Sequence, residues 1–173
     1  AGVLYTSSNT GLSVLSSRMP RATATSYFQK FGFGSATGVD FLGESNGRLK
    51  TGDGLDIVSR YTQFFGQGIS VTAAQMAGSY QTLANGGLRV PLRLVEGCVS
   101  NAGVLVENPV QEPIRVVSQS ASDQVIRSLE TIVAQGPLRN VLGIPGYRVA
   151  AKTGTAEIAN SQGYGAERVI SLA

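Results

Sequence analysis

The sequence predicts an α+β chain, and three observations carry that prediction. Two stretches place apolar residues at helical spacing behind clear caps, after Thr72 and after Ser118. Several short runs of β-branched and aliphatic residues alternate with turn formers, which reads as antiparallel hairpins. The 173 residues, 42% hydrophobic and 14% charged, are enough for one folded domain with a core. The net charge of +3 is mild and the arginines are scattered, so no electrostatic footprint for nucleic acid is visible. No apolar run approaches the roughly 18 residues needed to cross a bilayer, and no basic-then-apolar leader opens the chain.

In chain order, Asn9 to Arg18 carries Leu12, Val14 and Leu15 among small polar residues and predicts a short helix, with Pro20 marking its end. Ser7-Ser8-Asn9 then lies at a helix entry. Tyr27-Phe28-Gln29-Lys30-Phe31 predicts a second helix, closed by Gly32 and Gly34. From Thr37 to Asp56, glycines and turn formers predict loops and short extended pieces around Val39-Asp40-Phe41-Leu42. At Thr72 a capping box, Thr-x-x-Gln75, opens a core helix, with Val71 stapling to Met76. Ala73, Met76, Ala77, Tyr80, Leu83 and Ala84 form its expected apolar face, and Asn85-Gly86-Gly87 ends it.

Leu92–Val95 and Val104–Val106 flank the turn-like Ser100-Asn101-Ala102-Gly103, which predicts a hairpin, and Ile114–Val117 adds an extended piece. A further helix follows a serine cap at Ser118 or Ser120, with Val125, Ile126, Leu129, Ile132 and Val133 on one side and Gly136 as the stop. After Pro145-Gly146, a strand is expected from about Tyr147 to Ala156, with Arg168–Ala173 returning beside it as its antiparallel neighbour. The chain has no initiator methionine and stops inside that last strand, so it reads as an excerpt of a longer protein.

Residue types narrow the chemistry. With no histidine, imidazole metal sites and Ser-His-Asp catalysis are excluded, and the lone Cys98 forms no internal disulfide or thiolate cluster. Its ordinary reading is a small buried or strand residue. The most informative stretch is Lys152-Thr153-Gly154-Thr155, which sets a lysine, two hydroxyls and a glycine on a short apolar strand. An ammonium among small residues and hydroxyls can hold a carboxylate, and Gly154 lets a backbone approach closely. Side chains alternate along a strand, so Lys152 and Thr153 serve one cleft only if it runs along the strand's edge. There, unpaired backbone groups can receive a peptide as an added strand, and the Thr155 N–H can donate to an oxyanion. Such a site suits acyl transfer. Taken alone, Ser7-Ser8-Asn9 is also an ordinary helix cap.

Lys-Thr-Gly with Ser-x-Asn forms two thirds of the signature of the penicillin-recognising serine acyltransferases. The chain resembles the transpeptidase domain of a class B penicillin-binding protein, of the septal, cell-division type. The likeness rests on Ser7–Gly11, on Phe31–Gly34 leading to Thr37–Glu44, on Phe65–Thr72 with its helix through Gly87, and on Pro145–Ala156. These blocks occur in the family's order and cover nearly the whole chain, making residues 1–173 the C-terminal part of such a domain. The resemblance implies a penicillin-binding protein/β-lactamase-like α+β fold, an antiparallel sheet packed between helices, here truncated at both ends. It implies no cofactor or metal. Its partners would be peptidoglycan stem peptides ending in D-Ala-D-Ala, β-lactams that mimic them, and cell-division proteins. The protein would work at the septum on the outer face of the cell membrane, held by an N-terminal anchor outside this sequence.

Carried over by position, Ser7 would relay a proton between lysines and Asn9 would hold the donor amide. Lys152 would polarise Ser7 and attract the carboxylate, Thr153 and Thr155 would complete that anchor beside Gly154, and the Thr155 N–H would form half of the oxyanion hole. One part of the signature does not appear. The chain has three lysines, Lys30, Lys50 and Lys152, preceded at three residues by Tyr27, Gly47 and Val149, so no Ser-x-x-Lys nucleophile motif occurs. The segment alone is therefore expected to be inactive. Two other readings share these motifs: a non-catalytic scaffold of the division machinery, and a β-lactam sensor or β-lactamase, for which no dedicated deacylation base is visible.

Overall fold

The computed structural model describes residues 2–39, 41–52, 55–109, 111–137, 139–160 and 163–173. Seven helices and six strands follow one another among them. Helices α1 (Gly2–Tyr5), α2 (Asn9–Ser16) and α3 (Arg21–Lys30) come first, then α4 (Ile57–Thr62), which runs into a 3₁₀ turn at Gln63–Phe65. Helix α5 (Ala73–Ala84) leads to strands β1 (Leu88–Arg89), β2 (Gly97–Val99), β3 (Leu105–Glu107) and β4 (Ile114–Arg115). Helices α6 (Gln119–Gln135) and α7 (Arg139–Leu142) precede the long hairpin of β5 (Thr153–Asn160) and β6 (Gly163–Leu172). All strand pairs are antiparallel: β1 with β4, β2 with β3, β5 with β6. The α+β class stands.

The capped helices form where local chemistry dictates. Thr72 accepts from the Gln75 N–H at 3.1 Å while the Gln75 side chain accepts from the Thr72 N–H at 2.9 Å, completing the capping box. Ser118 caps α6 through the Ala121 N–H, and Gly136 closes it by donating to Ile132 O. Leu129 and Val133 are the buried apolar residues of α6, as its spacing predicts. Asp56 caps α4, accepting from both the N–H and the hydroxyl of Ser59 at 2.7 and 2.6 Å; these bonds hold its carboxyl well below the usual carboxylate range.

Several expectations need correction. The face of α5 buried against its neighbours is Gln75, Gly78, Ser79 and Thr82, whereas Ala73, Ala77 and Ala84 are exposed and Met76, Tyr80 and Leu83 half-buried. Polar groups win that face because they are satisfied there. The Gln75 amide donates to Ser35 O at 2.7 Å and Asn46 O at 2.9 Å, tying two loop carbonyls to the helix. Thr82 bonds back to Gly78 O, and Ser122 of α6 donates to Leu83 O. The second helix starts at Arg21, with Pro20 as its N-cap, because a proline that ends one helix can open the next. The first stops at Ser16, two residues short of Arg18.

Leu92–Val95 is not a strand; Gly97–Val99 pairs with β3 instead, since Gly103 N donates to Ser100 O and Ser100 N to Val104 O, which fixes the turn and hence the register. Of Ile114–Val117 only Ile114–Arg115 pairs, and its partner is β1. Val39, Phe41 and Leu42 are not in a strand, and Asp40 lies outside the described residues. The last hairpin is shifted along the sequence. Residues 147–151 lie in no strand, and β5 runs from Thr153 to Asn160 because β6 offers partners from Gly163 to Leu172.

Gln75→Ala should cost about 2–3 kcal/mol, because two loop carbonyls and the Thr72 N–H lose their partner together. Denaturant unfolding should show the loss, with a midpoint well below that of an exposed change such as Gln124→Ala.

Candidate active site

Ser7 sits in the turn between α1 and the cap of α2. Its backbone is in the left-handed region, φ 50°, a conformation costly for a residue with a side chain. Three contacts impose it. Ser7 N donates to Leu4 O at the end of α1, Ser8 N to Val3 O, and the Ser8 hydroxyl accepts from Gly11 N at 3.0 Å to start α2. A side chain at Gly11 would meet both methyls of Val3 at 2.9 Å, so glycine there lets α1 lie against α2. Tyr5 ties α1 to the end of α6 by donating to Gln135 O at 3.0 Å.

Lys152 precedes β5 and extends its ladder by one pair, with Lys152 N donating to Ala173 O at 2.8 Å and Ala173 N to Lys152 O at 3.2 Å. Its ammonium reaches across to Ser7, donating to Oγ at 2.6 Å, and also to Thr153 O at 2.9 Å. Residues 145 positions apart in sequence thus meet. Burial pushes the Lys152 ammonium below the ordinary lysine range, because partial removal from water disfavours its charge. Among the described residues no carboxylate pairs with it.

The Lys152–Ala173 pair exchanges two hydrogen bonds, so in an antiparallel ladder Gly154 and Ala156 also face β6 with their backbone groups. Thr153, Thr155 and Glu157 then turn theirs to the other edge. Lys152 reaches the Thr153 carbonyl on that edge, and Gln67 bonds both backbone groups of Glu157 there. Thr153 and Thr155 are exposed, and the Thr155 N–H stands between those two occupied positions. Asn9 is exposed at the first turn of α2, one residue beyond the cap. The crowding at Gly154 comes from its own hairpin, where a Cβ would meet Ser171 Oγ at 2.7 Å. The structure therefore brings Ser7, Lys152 and Thr153 together directly and sets Thr155 further along the same open edge. Gln67 was not singled out by sequence reasoning; its signal was a polar residue between two glycines in Phe65-Gly66-Gln67-Gly68. Among the described residues no group of His, Cys, Asp and Glu is arranged to hold a metal ion, and no helix is long and apolar enough to cross a membrane.

A lysine and a serine beside a strand edge with free backbone groups at Thr155 can chemically hold an anionic peptide terminus. Residues 1–172 match the penicillin binding protein transpeptidase domain family, and the chain belongs to it. It is 38% identical over 165 residues to penicillin-binding protein PbpB of Mycobacterium tuberculosis, covering 92% of this chain and 24% of that protein. It is 33% identical over 156 residues to the peptidoglycan D,D-transpeptidase FtsI of Escherichia coli, covering 90% of this chain and 25% of the relative. The crystal structure of penicillin binding protein 3 from M. tuberculosis complexed with ampicillin superposes with a TM-score of 0.89 at 35% identity, over 99% of this chain and 40% of that one. The chain thus spans about a quarter of the length of the curated relatives it matches.

The depressed proton affinity of Lys152 has a definite sign in folding. The unfolded lysine binds its proton more tightly, so this group disfavours the fold while charged, and stability rises with pH from the lowered folded value up to about 10.4. NMR titration of the Lys152 side chain should give a midpoint below the ordinary lysine range, and Ser7→Ala should lower it further by removing an acceptor that favours the charged form.

Proposed function

We propose that this segment supplies the anionic-donor side of a serine D,D-transpeptidase that crosslinks peptidoglycan stem peptides at the septum and is acylated by β-lactams. The observation that carries the reading is the contact of Lys152 with Ser7 beside the open Thr153–Thr155 edge. The family relationship and the relative solved with ampicillin support it.

The stem peptide's terminal carboxylate is anionic, and Lys152 with the Thr153 and Thr155 hydroxyls offers it charge and orientation. The donor lies along β5 as an added antiparallel strand, its carboxyl end toward Lys152. A serine of a Ser-x-x-Lys motif, outside these 173 residues, passes its proton to that motif's lysine and attacks the carbonyl between the two D-alanines. The carbonyl oxygen takes the negative charge of the tetrahedral intermediate, and the Thr155 N–H on the free edge is aimed to stabilise it. Collapse expels the last D-alanine as an amine, which takes up a proton through Ser7, and leaves an ester. An acceptor stem's amine then attacks the ester, and as the ester C–O bond breaks the amine's proton passes to the serine oxygen, so that the crosslink forms and the serine hydroxyl is restored. Asn9, at the entry to α2, holds the donor amide from the wall opposite β5.

Surface arithmetic supports a share of the domain larger than this segment. The chain exposes 11560 Å², against about 8,000 Å² for a compact monomer of its 18.0 kDa mass. Val169, Ile170 and Leu172 on β6 are 54%, 79% and 53% exposed, where a wider sheet would cover them. Cell-division partners and an anchor in the membrane belong to this reading of the longer protein.

Labelling with a fluorescent penicillin tests the proposal. The full-length protein should label and the 173-residue segment should stay dark for want of the nucleophile; an unlabelled full-length protein would remove the enzyme reading in favour of a scaffold. Lys152→Ala in the full-length protein should slow acylation by about 10²-fold or more, the scale of losing one preorganised electrostatic contact.

A further inference from the structure

We infer that Gln67 is a positioning residue that ends strand addition on the β5 edge and so fixes how far the donor peptide can pair; this rests on the reading of that edge as the donor cleft. A primary amide carries the same donor and acceptor as a peptide unit. Gln67 uses both as a neighbouring strand would, its Nε2 donating to Glu157 O at 3.0 Å and its Oε1 accepting from Glu157 N at 3.2 Å. The side chain is held in place from behind. Gly66 and Gly68 adopt φ of 88° and 74°, which only glycine takes readily, and Gln67 N donates to Thr62 O at 3.0 Å.

The consequence follows from strand geometry. Edge-facing residues recur every second position, about 6.5 Å apart. On this edge Lys152 takes the Thr153 carbonyl at one end and Gln67 takes both groups of Glu157 at the other. What lies between is the pair of backbone groups on Thr155. An antiparallel donor with its carboxyl end toward Lys152 pairs there once and then meets the Gln67 amide in place of the next backbone partner. The stem residues N-terminal to the acyl residue must leave the edge at that point, so their identity and number bear little on binding. Gln67 thereby sets a one-pair donor register.

The test uses the full-length protein and two thioester donors with the same acyl D-alanyl end, one N-acetylated there and one extended by two further residues. Wild type should turn over both with kcat/KM within about threefold. Gln67→Ala should favour the extended donor by about tenfold, through KM with kcat little changed, because the Glu157 edge is now open to pairing. Gln67→Glu keeps the length and the acceptor but loses the donor to Glu157 O; it should show an intermediate preference and decides the matter if Gln67→Ala does not fold. Equal loss on both donors would mean a structural role only and would overturn the inference, as would an unchanged ratio. Amide exchange gives a readout independent of turnover: the Glu157 N–H should exchange at least tenfold faster in Gln67→Ala, and an unchanged rate also overturns it. If wild type is neither labelled by penicillin nor active on either thioester, the functional reading fails and takes this inference with it; if wild type is labelled and the donor ratio stays flat, only the role of Gln67 fails.

Discussion

The contact between the Lys152 ammonium and the Ser7 hydroxyl joins the two ends of the chain, and the arrangement of everything near the site can be judged by what makes that contact possible. A hydrogen bond from a charged donor is worth about 1.5–3 kcal/mol net at best, and less where water competes, as it does at exposed Ser7. So small a term cannot position two segments 145 positions apart in sequence against the entropy of the chain between them. The scaffold must do so. Helix α6 serves both segments: Leu129 and Val133 bury one side of it, Ser122 ties it to α5, Tyr5 fastens α1 to its end, and Arg148, four residues before Lys152, pairs with its Glu130 at 2.8 Å. The left-handed backbone of Ser7 is then a cost imposed by the joint between α1 and the cap of α2, and it is tolerated because both flanking elements are fixed.

The same division between scaffold and site explains the edge of β5. One side of the strand is consumed by β6 from Thr153 to Asn160, which holds the strand straight enough to present its other side. A bare edge invites pairing with any extended chain. Here the invitation is limited by side chains rather than by another strand, with Lys152 at one end and Gln67 at the other. An edge bounded this way offers one pair of backbone groups, those of Thr155, a property that neither the lysine nor the threonines supply by themselves.

How much of this was legible in the sequence depended on how local the determining physics is. Thr72, Ser118 and Gly136 mark helix ends because a cap is satisfied within four residues, and each lies where its pattern puts it. Strand limits were displaced because a strand ends where its partner ends; nothing in Tyr147–Ala151 reveals that β6 begins pairing opposite Thr153. The face of α5 was misjudged for a related reason. Hydrophobic spacing selects Met76, Tyr80 and Leu83, but Gln75 finds two carbonyls from a distant loop and so can be buried at 2% exposure. The family motifs were legible as fixed residue patterns, and they brought Ser7 and Lys152 together on paper before any geometry did. Gln67 pairs with backbone, so no complementary residue type marks its role and only its place between two glycines does.

Lysine suits position 152 for reasons that the geometry makes specific. An ammonium has three donors; one goes to Ser7 Oγ and one to Thr153 O, which leaves the third for a ligand. A guanidinium would keep its charge under any burial and would spread five donors over a plane too broad for this corner. The partly buried ammonium, with its proton affinity lowered, stands nearer to sharing a proton with a hydroxyl than a solvated lysine does. Both duties proposed for the residue, holding an anion and passing a proton through Ser7, would therefore come from one compromise. Deeper burial would neutralise the ammonium and lose the anion, while full exposure would hydrate it and loosen its hold on the serine.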